Sequence, residues 1–80
     1  MINLKKIIAE VMSIEPENVT IDSDYTSIDT WDSLTQIEVI FRIESASGQK
    51  FTAKELSEMT GVRNIVEHLE KRGIECETLD

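Results

Sequence analysis

Leu4, Ile7, Ile8 and Val11 stand at i, i+3, i+4 and i+7, and Val62, Ile65, Val66 and Leu69 repeat that spacing near the other end of the chain. At about 3.6 residues per turn, each set lines one face of an α-helix, so two faces must be buried against something. No stretch alternates apolar and polar residues between hairpin signals, and there is neither an internal repeat nor a low-complexity tract. The expected fold is therefore all-α.

Pro16 disfavours helical backbone at Glu15 and has no N–H to continue the ladder, so the first helix is expected to stop near Ser13. Residues 15 to about 31 then form a loop longer than the ~12 to 15 residues usual in a compact domain, and such a loop needs anchors. Val19, Ile21, Tyr25, Ile28 and Trp31 are the candidates, with Asp22, Ser23, Asp24 and Asp29 in water. A long helix follows. Ser33-Leu34-Thr35-Gln36 fits a capping box, with Asp32 as the rival cap. On a helical wheel Val39, Ile40, Ile43 and Ala46 group on one side and Leu34, Ile37 and Phe41 roughly opposite, with Thr35, Glu38, Arg42 and Ser45 in the arc between. Burial of the first stripe with the second left near the surface, and burial of both, are equally open readings. Gly48-Gln49-Lys50 breaks this helix; Thr52-Ala53-Lys54-Glu55 is a second capping box, opening a short helix with Leu56 and Met59 inward, ended by Thr60-Gly61. A last helix over Val62 to Leu69 closes on Lys71-Arg72-Gly73, which supplies the cations and glycine favoured at a C-terminus. The reading is a small four-helix bundle, three main helices plus one short helix with a long first loop. It places one domain over 1–73 and a frayed acidic tail over 74–80.

With 80 residues, the chain has material for one modest core. A catalytic cleft usually needs concave walls built from more chain, which favours a carrier, binder or docking module. Sixteen acidic against 8 basic side chains give a formal charge of −8, which repels nucleic acid and anionic lipid and attracts basic protein patches. Cys76 stands alone, so no internal disulfide can form. Asn3 and two lysines interrupt the apolar residues at the N-terminus, and no stretch reaches the ~18 to 20 apolar residues of a membrane span. A cytoplasmic monomer that contacts neither membrane nor nucleic acid is expected.

Chemistry concentrates at Ser33. The eighteen residues Glu15 to Asp32 hold six carboxylates and no Lys or Arg, and a strongly apolar helix begins directly after them. A hydroxyl at such a junction faces solvent. Asp32-Ser33-Leu34 and the segment up to Glu44 resemble the prosthetic-group attachment helix of acyl carrier proteins. The likeness extends to the opening amphipathic helix, the Glu17-Asn18-Val19-Thr20 loop, the Val39-Ile40-Phe41 stretch, the short third helix and the closing Val62 to Leu69 helix. The resemblance implies that a phosphopantetheinyl transferase, using Mg²⁺ and coenzyme A, joins 4'-phosphopantetheine to Ser33 as a phosphodiester. The arm's thiol would then hold acyl or aminoacyl groups as thioesters for partner enzymes, and the chain would catalyse nothing itself. Partner recognition is expected at Asp32, Leu34, Ile37, Glu38, Phe41 and Glu44, with Asp29 extending the acidic edge toward a loading enzyme or a synthase with basic patches. An unpaired set of backbone N–H groups at the helix start is expected to favour the phosphate, whereas the Asp32 charge, unfavourable beside it, is expected to act in recognition at the transferase instead of stabilising the arm, so that exchange of Asp32 for Ala slows loading with helix content unchanged. Thr30, Thr35 and Ser47 depart from residues frequent in the family, which points away from general fatty acid synthesis toward a free-standing carrier of a polyketide, peptide or related pathway. The alternatives are an unmodified, carrier-like acidic docking module and a carrier of general fatty acid synthesis.

Other chemistries fit less well. Asp22-x-Asp24 hints at a calcium loop, but Ser27 and Ser33 stand where that loop needs Gly and a bidentate Glu, so no metal site is expected. Ser33 with the single His68 lacks the Gly-x-Ser-x-Gly elbow of a hydrolase. Cys76, flanked by Glu75 and Glu77, is expected to be inert. Trp31 is expected to pack the loop onto the bundle.

Overall fold

Four helices form where the apolar spacing places them. In the computed structural model, which describes residues 1–77, these are α1 (Leu4–Met12), α2 (Ser33–Ser47), α3 (Ala53–Glu58) and α4 (Val62–Lys71), with a 3₁₀ turn at Pro16–Asn18. The molecule is the expected small helical bundle. Asn3 caps α1 by accepting from the Lys6 amide at 3.0 Å, and the helix ends at Ser13, whose φ of 60° turns the chain out of it. Leu4, Ile8 and Met12 of α1, Val39, Ile40 and Ile43 of α2, and Val62, Ile65 and Leu69 of α4 are sealed from solvent in one core cluster. Burying a side chain of this size contributes ~1.5 to 3 kcal/mol. Arg42 of α2 also reaches Glu10 of α1 at 3.2 Å.

Two positions on α2 differ from the wheel. Ala46 is exposed, and Glu44, roughly opposite it around the helix, is buried at 8% exposure, where its carboxylate accepts the Phe51 amide at 2.8 Å. The chain folds back at Gly48, whose φ of 73° suits a residue without a Cβ, and this return brings the Phe51 amide within reach of Glu44. A buried carboxylate needs such a partner.

Val19, Ile28 and Trp31 anchor the long loop as read, and Ile21 packs partly against the core. Tyr25 does not. It lies 60% exposed, because the loop is held there by backbone: the Tyr25 amide donates to the Thr60 carbonyl, the Val62 amide to the Ser23 carbonyl, and Asp24 pairs with Gly61 in an antiparallel bridge. Ser23, expected in water, is buried by the same pairing, and its Oγ accepts the Thr20 amide at 2.9 Å. The Thr30 hydroxyl donates to the Met12 carbonyl at 2.7 Å and fastens the end of the loop to the end of α1.

α3 has both halves of its capping box, Thr52 with Glu55, yet contains no fully buried residue. Leu56 packs partly against the core, Met59 just after the helix is sealed in it, and polar contacts add to this. Arg72 meets Glu55 at 2.6 Å while stacking 4.3 Å from the Phe51 ring centroid, and His68 faces Glu58 at 3.2 Å. The tail expected to fray over 74–80 is paired over part of its length. Ile2 donates to Glu75 and accepts from Glu77, and Ile74 and Cys76 pack against the core, because α1 begins beside the exit of α4. Residues 78–80 lie outside the described residues.

Candidate functional site

Extended backbone at Asp32, with φ −131°, turns the chain into α2. Its carboxylate accepts the Leu34 and Thr35 amides, both at 2.9 Å, and Thr35 Oγ1 accepts the Asp32 amide in return while donating to the Thr30 carbonyl. Asp32, not Ser33, is therefore the cap. These bonds, that of the Thr35 amide foremost, hold the Asp32 carboxyl below its usual range, so it stays ionised at neutral pH.

Ser33 becomes the first helical residue and is exposed, and among the described residues its hydroxyl makes no hydrogen bond. The amides expected to meet a phosphate at this helix start are instead largely taken: Leu34 and Thr35 by the Asp32 carboxylate, Gln36 by the Asp32 carbonyl. Any group on Ser33 would thus hang outside the cap.

Gln36, three residues on, does not complete the Ser33 box. It accepts the Trp31 indole N–H at 3.0 Å and donates to the Leu56 carbonyl at 2.8 Å. A groove of about 370 Å³ opens beside Ser33, lined by Tyr25, Trp31, Asp32, Gln36 and Thr60. That Gln36 shares a face with Ser33 follows from the i, i+3 spacing, but its bonds to Trp31 and Leu56 do not, and Tyr25 and Thr60 arrive through the loop pairing, which leaves no periodic signal.

The second α2 stripe is outward: Leu34 is 77% exposed, Phe41 57% and Ile37 38%. Glu38 shares this surface but is bound to Arg42 at 3.2 Å. Asp29 is also exposed. Glu44, expected among the partner-facing acids, is withdrawn from that surface because its carboxylate is committed to Phe51 and lies 3.8 Å from Lys50.

Trp31 is buried in the core as read. Burial, then the nearby Glu70 charge, raises the Cys76 thiol above its usual range, in keeping with an inert residue. Among the described residues no group of three His, Cys, Asp or Glu side chains could hold a metal ion, and no helix is long and apolar enough to cross a membrane.

The local geometry suits covalent attachment. An acceptor hydroxyl for a bulky anionic group must be accessible, unengaged and borne on rigid backbone, and Ser33 meets all three conditions. Residues 3–69 match the family model described as a phosphopantetheine attachment site. The acyl carrier protein of Rhodococcus erythropolis is 32% identical over 68 residues, covering 85% of this chain and 75% of the relative. That of Coprothermobacter proteolyticus is 27% identical over 67 residues, covering 84% and 82%.

Proposed function

The chain belongs to the phosphopantetheine-attachment family that includes the acyl carrier proteins, and from that premise we propose that Ser33 is the residue that takes the prosthetic group. The family's group is 4'-phosphopantetheine, covalently bound. When bound it supplies a thiol on a flexible arm, which holds acyl or aminoacyl groups as thioesters. The observation that carries the assignment is the free, exposed Ser33 hydroxyl at the start of α2, left unengaged because Asp32 takes the capping role.

The chain's own residues supply position, not catalysis. The Asp32–Thr35 cap and the Thr35 bond to Thr30 fix the backbone on either side of Ser33, so the hydroxyl is presented in one place to a transferase that must remove its proton. Leu34, Ile37 and Phe41 form an apolar stripe next to Ser33 on which the transferase, a loading enzyme and later synthases would dock, with Asp29, Asp32 and Glu38 at its edge to attract basic patches. A specialised polyketide, peptide or related pathway is the narrower reading, and it rests on the departures at Thr30, Thr35 and Ser47.

Incubation with coenzyme A and a promiscuous phosphopantetheinyl transferase tests the assignment. Intact mass should show one adduct on the native chain and none on Ser33→Ala. A native chain that stays unmodified would favour the docking module instead, and an adduct that survives Ser33→Ala would move the site elsewhere.

A further inference from the structure

We propose that Gln36 decides where a group tethered at Ser33 can go, and that in this chain it keeps the group out of the core, which fits the carrier to short or polar cargo. The inference rests on Ser33 being the attachment point. Ser33 and Gln36 lie three residues apart on one face of α2, and both border the groove with Tyr25, Trp31 and Thr60. Whatever leaves Ser33 along that face meets the Gln36 carboxamide first.

Both ends of that carboxamide are engaged. One accepts from the Trp31 indole at 3.0 Å and the other donates to the Leu56 carbonyl at 2.8 Å, so a single side chain bolts together the loop before α2, α2 itself and α3. Behind the bolt, Trp31 is buried and Ile40 and Met59 are wholly so. An alkyl chain passing inward would have to part α2 from α3 there. It could replace neither hydrogen bond, and it would displace side chains packed as densely as an organic crystal. A chain of few carbons recovers too little apolar burial for this, and a polar group recovers none. The groove outside, lined by Trp31, Gln36 and the exposed Tyr25, costs no rearrangement.

The experiment loads octanoyl-phosphopantetheine from octanoyl-coenzyme A onto the native chain, Gln36→Met and Trp31→Phe, confirms each adduct by intact mass, and measures cleavage of the thioester by hydroxylamine against octanoyl-coenzyme A. The native adduct should be cleaved within about twofold of the free thioester, and Gln36→Met, of similar length but without the amide donor and acceptor, at least about fivefold more slowly as the closed and entered states exchange population. Trp31→Phe, which removes the indole donor alone, should fall between them and carries the comparison if Gln36→Met does not fold. Hydrogen exchange at the α3 amides of the unloaded variants gives an independent reading, and should quicken when the bolt is removed. A protected native thioester, or Gln36→Met and Trp31→Phe adducts cleaved as fast as the native one, overturns the role of Gln36 while leaving attachment intact. Failure of any adduct to form on Ser33 overturns both, and mass alone distinguishes the two failures.

Discussion

Asp32 occupies the position where the needs of the helix and of the site meet. Ser and Asp are comparable N-caps, so the sequence leaves the choice between Asp32 and Ser33 open. Two features of the fold resolve it: Asp32 is extended, and Thr35 is tied back to Thr30, which aims the Asp32 carboxylate at the Leu34 and Thr35 amides. The expectation that exchange of Asp32 for Ala leaves the helix unchanged is thereby corrected. Asp32→Ala should lower the thermal midpoint and loosen the start of α2, seen as faster amide exchange at Leu34 and Thr35. Asp32→Ser, which restores a cap without the charge, separates the two roles: native stability with slow loading at Ser33 assigns the charge to transferase recognition, and native loading removes that role. The sign of the pH effect follows from the depressed carboxyl: the cap contributes fully above the ordinary carboxylate value and weakens as pH falls through the lowered folded one. Asp32→Ser should therefore lose stability with acid less steeply than the native chain over that range, as read by thermal melts from pH 6 to 3.

Among the elements, α3 depends most on its neighbours. At six residues it is too short to persist alone, and it contributes no fully buried side chain. Its Arg72–Glu55 contact depresses Glu55 from an ordinary 4.5 to about 2, the Arg72 hydrogen bond being the largest cause and the Thr52 amide the next. Stability from that pair is present above pH about 4.5 and drains away as pH falls toward about 2. In urea titrations the gap between native chain and Glu55→Gln should therefore narrow across that interval; a constant gap would show that the carboxylate's charge contributes nothing. Thr52→Ala, which removes half of the capping box, should cost about 1 kcal/mol. At the loop-to-α4 pairing, a Cβ on Gly61 would stand 2.8 Å from Asp24 Cβ and 3.2 Å from the Ser23 carbonyl, so Gly61→Ala should destabilise by about 1 to 3 kcal/mol by forcing the loop off α4. The helices, their order and the Thr52–Glu55 capping box could be read from apolar spacing and cap residues, because those signals are local; at α2 spacing left Ser33 and Asp32 as rival caps, and Thr35, not Gln36, closes the box. Ser23, Tyr25, Glu44 and the 74–77 pairing could not. Ser23, Tyr25 and the 74–77 pairing are decided by backbone groups of distant segments, the Val62 amide, the Thr60 carbonyl and the Ile2 peptide, while Glu44 is decided by the Phe51 amide across the turn at Gly48, a contact that helical periodicity does not carry. Ala46 is exposed although it shares the face of Val39 and Ile43, and nothing in the structure explains it.

For the molecule as a whole, a charge of −8 is spread over a body of 27 × 24 × 19 Å. The screening length is about 30 Å at 0.01 M salt and about 8 Å at 0.15 M, so carboxylates across the whole molecule repel one another in the first case and only near neighbours do in the second. Ion pairs such as Arg42–Glu10, Arg63–Asp22 and Arg72–Glu55 neutralise some acids, while Glu15, Glu17 and Asp29 remain exposed. The thermal midpoint should therefore rise between 0.01 and about 0.15 M sodium chloride, whereas association with a basic partner should slow over the same range, because the field that strains the fold also steers the encounter. The apolar stripe behaves differently. Phe41 is 57% exposed and adds little to the fold, so Phe41→Ala should leave the midpoint nearly unchanged and the association rate intact, yet raise the dissociation rate from a transferase about tenfold if the ring is an anchor worth about 1.4 kcal/mol. Stopped-flow and dissociation measurements on native chain and variant at both salt concentrations separate these effects. A Phe41→Ala complex that forms and leaves at the native rates would place the stripe outside the docking surface and return recognition to the acids alone.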